Sequence, residues 1–300
     1  MVLSIFQALG NSYGTLGYIL RAKIKLHEVK PYVYIKNIKY ENIKFFIKAM
    51  LDATKNNDVD AIESLIFSKR ELYLMLSKFV DKVPYEDNIF RGIKFYKLPV
   101  QKNEIYLSTK DYIFRYDPDW FWNFPEGPFF EFLRKILPLS MRNSAFYTKY
   151  LKWKNKIFKE KNERRERLIQ DWEVPWNNAE ELIKFALENI SLGKNPWLVV
   201  PIKIVSNSTI YPLKKVDLYF NLGCYCYVER PIDKEQYYYT KIMDEKCFEL
   251  NGLKMLYSST FISKKEFDNI YNGKEYDKLK KKYDPLGKLP TLFEKAVNFK

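Results

Sequence analysis

The stretch "DAIESLIFSKRELYLMLSKFVD", Asp60–Asp81, constrains the fold most. Two apolar runs rich in Ile, Leu, Phe and Tyr are separated by Ser68-Lys69-Arg70. So short a connection returns the chain antiparallel to itself, because parallel neighbours need a long crossover. Just before it, "KPYVYIKNIKY" reads as a strand entered through Pro31. "ENIKFFIKAMLDATKNN" then sets Ile43, Phe46, Ile47, Met50 and Leu51 on one helical face and stops at Asn56-Asn57. Strand, helix, hairpin is an α+β order, so an antiparallel sheet flanked by helices is expected.

The same reading extends along the chain. Residues 15–26 end in a period-two alternation, with Ala22, Ile24 and Leu26 on one side and Arg21, Lys23 and Lys25 on the other, the pattern of a half-buried strand. "STKDYIFRYDPDWFWNFPEGPFF" reads as loop with short extended pieces, and residues 129–170 read as helical and basic. Asn177 or Asn178 suits a helix N-cap, with Glu180 and Glu181 in the first turn. "PWLVVPIKIV" and "VDLYFNLGCYCYV" are strands; "SKKEFDNIY", capped by Ser263, and "GKEYDKLKKKYDP" are short helices.

Composition narrows the chemistry. The chain has 300 residues and a net charge of +14, from 51 Lys+Arg against 37 Asp+Glu. That charge admits nucleic acid, acidic lipid or an anionic cofactor, but no nucleic-acid motif accompanies it and the basic residues are spread along the chain. The densest run, Lys149–Arg167, holds nine Lys or Arg and three Glu. It reads as a lip for phosphate or a membrane surface, or as a solvated helix face. The only histidine is His27, so a Ser-His-Asp or Cys-His centre would have to use it, and a four-ligand zinc site has too few donors. The three cysteines, Cys224, Cys226 and Cys247, argue against a disulfide framework. No apolar run reaches the ~18–20 residues of a membrane helix. A cytoplasmic protein with no metal, no nucleic-acid partner and no transmembrane segment is expected, with peripheral membrane contact left open.

Near Met1 stands "NSYGTLGYILRAKIKL". Glycine has no Cβ, so such a turn lets backbone approach a ligand closely; an ordinary tight turn is the other reading. "SYGTLGYILRAKIKL" resembles the last strand region of the FAD-binding domain in vanillyl-alcohol-oxidase-type flavoproteins. "AIESLIFSKRELYLMLSKFVD", "DYIFRYDPDWFW", "DWEVP" and "LKMLYSSTFISKKEFDNIYNGKEYDKLKKKYDPLGKLPTLFEKAV" are similar to one branch, the Δ24-sterol reductases and their FAD-linked oxidoreductase relatives. The resemblance covers nearly the whole chain and is most specific at its C-terminal block.

The resemblance implies a remnant edge of a PCMH-type FAD-binding domain over residues 1–35, followed over 36–300 by a substrate domain. Relatives place most of the FAD domain before the glycine turn, so either a separate chain carries that half or the reading frame is truncated, and FAD binding by this chain alone is not expected. Ser12, Gly14, Thr15 and Gly17 would form the flavin side. Arg115 would stand by the flavin, paired with Asp117 or Asp119, or be a structural ion pair. Tyr257 would be proton donor or pocket wall, or a core tyrosine. Trp120, Phe121 and Trp122 would line a flat pocket or pack as core. Asp171 and Glu173, flanking Trp172 at a strand entry, form a carboxylate pair. The implied activity is an FAD-dependent oxidoreductase acting on C=C or C–OH bonds of a hydrophobic, isoprenoid or sterol-like small molecule. The alternative is a non-catalytic hydrophobic-ligand-binding module.

Overall fold

The hairpin forms where the sequence puts it. In the computed structural model, which describes residues 2–90, 92–157, 165–205, 208–213 and 216–297, β1 (Tyr32–Tyr40), β2 (Ala61–Ser68) and β3 (Glu71–Val80) make the first antiparallel unit. With β4 (Glu104–Ser108), β5 (Arg165–Pro175), β6 (Trp197–Lys203), β7 (Leu218–Glu229) and β8 (Leu253–Lys254) they build one eight-stranded sheet in the order β4-β1-β3-β2-β6-β7-β5-β8. Every neighbouring pair is antiparallel. The helices are α1 (Val2–Leu9), α2 (Ile43–Ala53), α3 (Leu98–Gln101), α4 (Thr109–Ile113), α5 (Pro128–Ile136), α6 (Ser144–Ile157), α7 (Ala179–Asn189), α8 (Tyr238–Glu249), α9 (Lys264–Ile270), α10 (Gly273–Tyr283) and α11 (Leu292–Val297). The architecture is α+β, an antiparallel sheet flanked by helices.

Strand register fixes two faces, because side chains alternate. On one face Ile66, Leu74, Trp172, Val174, Trp197, Val199, Phe220 and Leu222 pack against α2, α7 and α8. On the other, the β4-β1-β3-β2 half (Ile105, Val33, Met75, Leu65) lies beneath Phe95, Tyr96, Tyr116 and Trp122. A third cluster joins α1 and Leu16 to α9, α10, α11 and Leu256, beside the β8 edge.

Four local readings are corrected. Residues 21–30 form no strand and are exposed throughout, pairing with neither edge of the described sheet. The aromatic stretch 109–124 is helical rather than extended: α4 is capped by Ser108, whose hydroxyl accepts from the Asp111 N–H (3.1 Å), and a 3-10 turn follows at Asp117–Asp119. The segment 129–170 holds α5 and α6 but ends in β5; residues 158–164 lie outside the described residues. Glu166 and Gln170 occupy inward positions of β5 and hide its alternation. Glu166 is inward because its carboxylate accepts the Tyr239 (3.0 Å) and Thr240 (2.8 Å) N–H groups, capping the α8 N-terminus. Asn178 sits at the α7 N-cap, yet its amide donates to the Leu250 carbonyl (2.7 Å) instead of accepting from the helix. Ser263 caps α9 in a full capping box with Glu266, as expected.

Candidate active site

The β5–β7 half of the second face carries polar groups where its neighbours carry apolar ones. Asp171 and Glu173 point there from β5; Asn221 and Gly223 stand opposite them on β7. Both acids lie well inside β5 rather than at its entry. The Tyr257 hydroxyl donates to Asp171 Oδ2 (2.6 Å), and the Tyr211 hydroxyl to Glu173 Oε2 (3.0 Å). Burial and the Asp171 carboxylate push the Tyr257 phenol well above its usual range. With its proton on Asp171, the half-exposed Tyr257 oxygen turns lone pairs toward a cleft of about 470 Å³ that it lines with Tyr13, Arg167, Ile169, Leu256 and Lys295. That volume lies within the roughly 300–1,000 Å³ of small-molecule sites.

Glycine at 223 is what admits Asp171. A Cβ there would lie 2.2 Å from Asp171 Oδ1. Gly223→Ala is therefore expected to displace the carboxylate, loosen Tyr257 and cost about 1–3 kcal/mol, read by urea unfolding.

Glu173 is almost fully buried. Burial raises its carboxyl to about 7; the Tyr211 hydroxyl opposes that shift and neighbouring Asp171 adds to it. Its folded pKa lies above its unfolded value, so the native state holds an extra proton between about pH 4.5 and 7. Stability from this group therefore falls as pH rises through that window. Glu173→Gln, which keeps shape and removes charge, is expected to gain on the parent by about 3 kcal/mol between pH 4 and pH 8. Unfolding curves at the two pH values check it.

The glycine turn stands beside this cluster. The Tyr13 oxygen accepts the Leu256 N–H (3.1 Å), so the turn is tied to the residue preceding Tyr257. Lys295 donates to the Tyr13 carbonyl and Lys280 to that of Thr15 (2.8 Å). Ser12 and Thr15 are fully buried, and their hydroxyls donate to the Leu9 (2.8 Å) and Ser12 (2.7 Å) carbonyls. Those hydroxyls hold the turn together. Gly14 (φ 79°) and Gly17 (φ 145°) take backbone forms that favour glycine, and open space surrounds the Cβ position of Gly17. Of these two glycines, Gly17 is the one whose backbone stands open to a ligand.

Arg115 lies elsewhere on the same face. It pairs with Glu63 of β2, not with Asp117 or Asp119, and donates to the Tyr112 carbonyl (2.7 Å); Glu63 also accepts the Tyr116 hydroxyl. Asp117 accepts from Ser144, while Asp119 faces Arg134 (3.7 Å). Three strand spacings separate β2 from β5, about 14 Å of sheet. Between them half-buried Leu198, Val200 and Tyr225 form an apolar floor. Trp120, Phe121 and Trp122 all have left-handed backbones (φ 54°, 50° and 67°). Trp120 is buried against Tyr147, and Trp122 against Tyr96 and Tyr116; only Phe121 reaches the floor, 5.4 Å from Tyr225.

Tyr13, Tyr211, Asn221 and Gly223 were not singled out from sequence. A glycine inside the strand-like "NLGCYCYV" is the one signal that marks a close approach there. All three cysteines are buried and free, and among the described residues no His/Cys/Asp/Glu group has the makings of a metal site.

The second sheet face thus carries an acid–tyrosine cluster beside an apolar floor, at a cleft of small-molecule size. No family model matches the chain. Curated proteins do. It is 23% identical to a Δ24-sterol reductase homologue of Caenorhabditis elegans. It is 20% identical to the Δ24-sterol reductases of Macaca fascicularis and Homo sapiens. Each match takes in 97% of this chain and 58% of the relative, so the chain spans less than two thirds of those proteins. Similarity at this level along nearly the whole chain supports kinship with that family.

Proposed function

We propose that this chain is the substrate-binding portion of an FAD-dependent, Δ24-sterol-reductase-like oxidoreductase of the cytoplasm, acting on C=C or C–OH bonds of a hydrophobic, sterol-like molecule. A flavin-binding portion outside these residues, on a partner chain, completes it. When bound, the flavin supplies the hydride chemistry. This chain's residues do the rest. The apolar floor of Leu198, Val200, Tyr225 and Phe121 seats a flat greasy ring system. Tyr257 accepts a proton from a substrate C–O–H as it passes its own to Asp171, and the reverse transfer delivers one. Gly17 offers the backbone edge nearest the cofactor, over residues 1–35. Arg115, set on Glu63, marks the far rim.

The observation that carries this reading is the Tyr13–Leu256 bond, which makes the glycine turn and Tyr257 one unit at one cleft. Residues 21–30 add support. Over 21–26 they alternate apolar and cationic, and the whole segment belongs to no helix or strand and leaves Ile24 74% and Leu26 78% exposed. An alternating segment without a sheet fits a strand whose partners lie in another portion. Co-expression with the flavin-binding portion encoded nearest upstream is expected to give a yellow complex that exchanges electrons with a sterol. A colourless chain that still binds sterol supports the non-catalytic ligand-binding module instead; no association and no sterol binding contradicts both.

A further inference from the structure

Helix α5 is amphipathic and built inside out. Of its two cationic residues, Arg134 is 1% exposed while Lys135 faces solvent. The guanidinium faces Asp119 Oδ1 (3.7 Å), bonds Glu131 Oε2 (3.1 Å) and donates to the Gly92 carbonyl. That buried anchor fixes the rotation of the helix about its axis. Phe132 and Ile136 each lie two residues from Arg134, hence on the opposite side, and Phe129 joins them at i, i+3, i+7 spacing. These three are 68% (Phe129), 62% (Phe132) and 60% (Ile136) exposed. Leu139, just beyond the helix, and Trp153 of α6 are exposed as well.

Such a ridge costs solvation unless something covers it. Charge identifies what. Between Pro128 and Ile157 the sequence has seven Lys or Arg and one Glu. Lys135, Lys149, Lys152 and Lys156 are exposed. α6 itself carries no acid. An apolar ridge one short helix wide, next in the chain to exposed lysines, matches a helix lying in a bilayer interface, where apolar burial and attraction to anionic headgroups add.

We infer that the α5–α6 segment docks this chain on an anionic membrane surface, with Phe129, Phe132 and Ile136 in the headgroup–acyl boundary and Lys149, Lys152 and Lys156 on the lipid phosphates. The attachment is peripheral: among the described residues no helix is long and apolar enough to cross a membrane. It requires no flavin.

The test is co-sedimentation of the purified chain with vesicles of phosphatidylcholine alone and of phosphatidylcholine mixed with phosphatidylserine. Binding to the mixed vesicles is expected to be at least roughly tenfold tighter and to weaken with salt. Phe132→Asp/Ile136→Asp is expected to abolish it and Lys149→Glu/Lys152→Glu to weaken it roughly tenfold. These positions are exposed, so thermal unfolding should match the parent. Equal binding to both vesicle types, no binding, or undiminished binding by the Asp variant overturns the inference. So does a dimer that the Asp variant converts to monomer, which would assign the ridge to a second copy.

Discussion

Lys254→Met is expected to lower the free energy of unfolding by about 3–5 kcal/mol, the largest single-residue loss anticipated here. Lys254 is completely buried on β8, opposite Trp172 of β5. Its Nζ lies 2.8 Å from Asp244 Oδ2 of α8 and donates to the Ser259 carbonyl (2.6 Å). The Trp172 indole N–H donates to Asp244 Oδ1 (2.8 Å). Burial pushes the Asp244 carboxyl up and the Lys254 ammonium down, while their mutual attraction opposes both shifts. Removing the cation strands a carboxylate among Trp172, Met243 and Cys247. Lys254→Met/Asp244→Asn should recover more than half of the loss, because asparagine still accepts the indole N–H and carries no charge. Chemical denaturation of the parent, the single variant and the double variant reads both numbers. A single variant within 1 kcal/mol of the parent would mean that the pair is solvated.

Tyr257→Phe is expected to lower turnover of the flavin-loaded complex by about 10²–10⁴-fold while changing stability by less than about 1 kcal/mol. Tyr257 is half-exposed and among the described residues its hydroxyl bonds Asp171 alone, so little folding energy depends on it. Proton transfer across the Tyr257–Asp171 bond is another matter, since phenylalanine leaves a substrate oxygen or carbon facing a ring edge. Asp171→Asn should cost a similar factor by removing the group that exchanges the proton. Steady-state rates beside melting curves separate chemistry from folding. A Phe variant that turns over at the parent rate removes Tyr257 from the reaction.

The hairpin, the inward face of α2 and the Ser263 cap could be read directly from residue spacing, because each depends on contacts close in sequence. Strand β5 could not: its inward positions hold Glu166 and Gln170, whose partners on α8 and β8 lie far along the chain. The glycine turn and Tyr257 could be named from resemblance, and their meeting at one cleft appears only when α1 packs against α9–α11. Arg115 was placed by sequence next to the nearest acids, yet pairs with Glu63, 52 residues away. Local charge cannot show which acid a strand crossing brings close. Nor could spacing separate Phe121 from Trp120 and Trp122, since three successive left-handed residues send their rings in different directions.

The central claim is that the sheet face carrying Tyr257 closes against a flavin-binding portion. Hydrogen exchange of this chain, alone and in complex with that portion, tests it most directly. The account predicts slowed exchange at residues 14–30 and 255–259, with α7 and α8 unchanged. Protection confined to α7 and α8, or none at all, would contradict it.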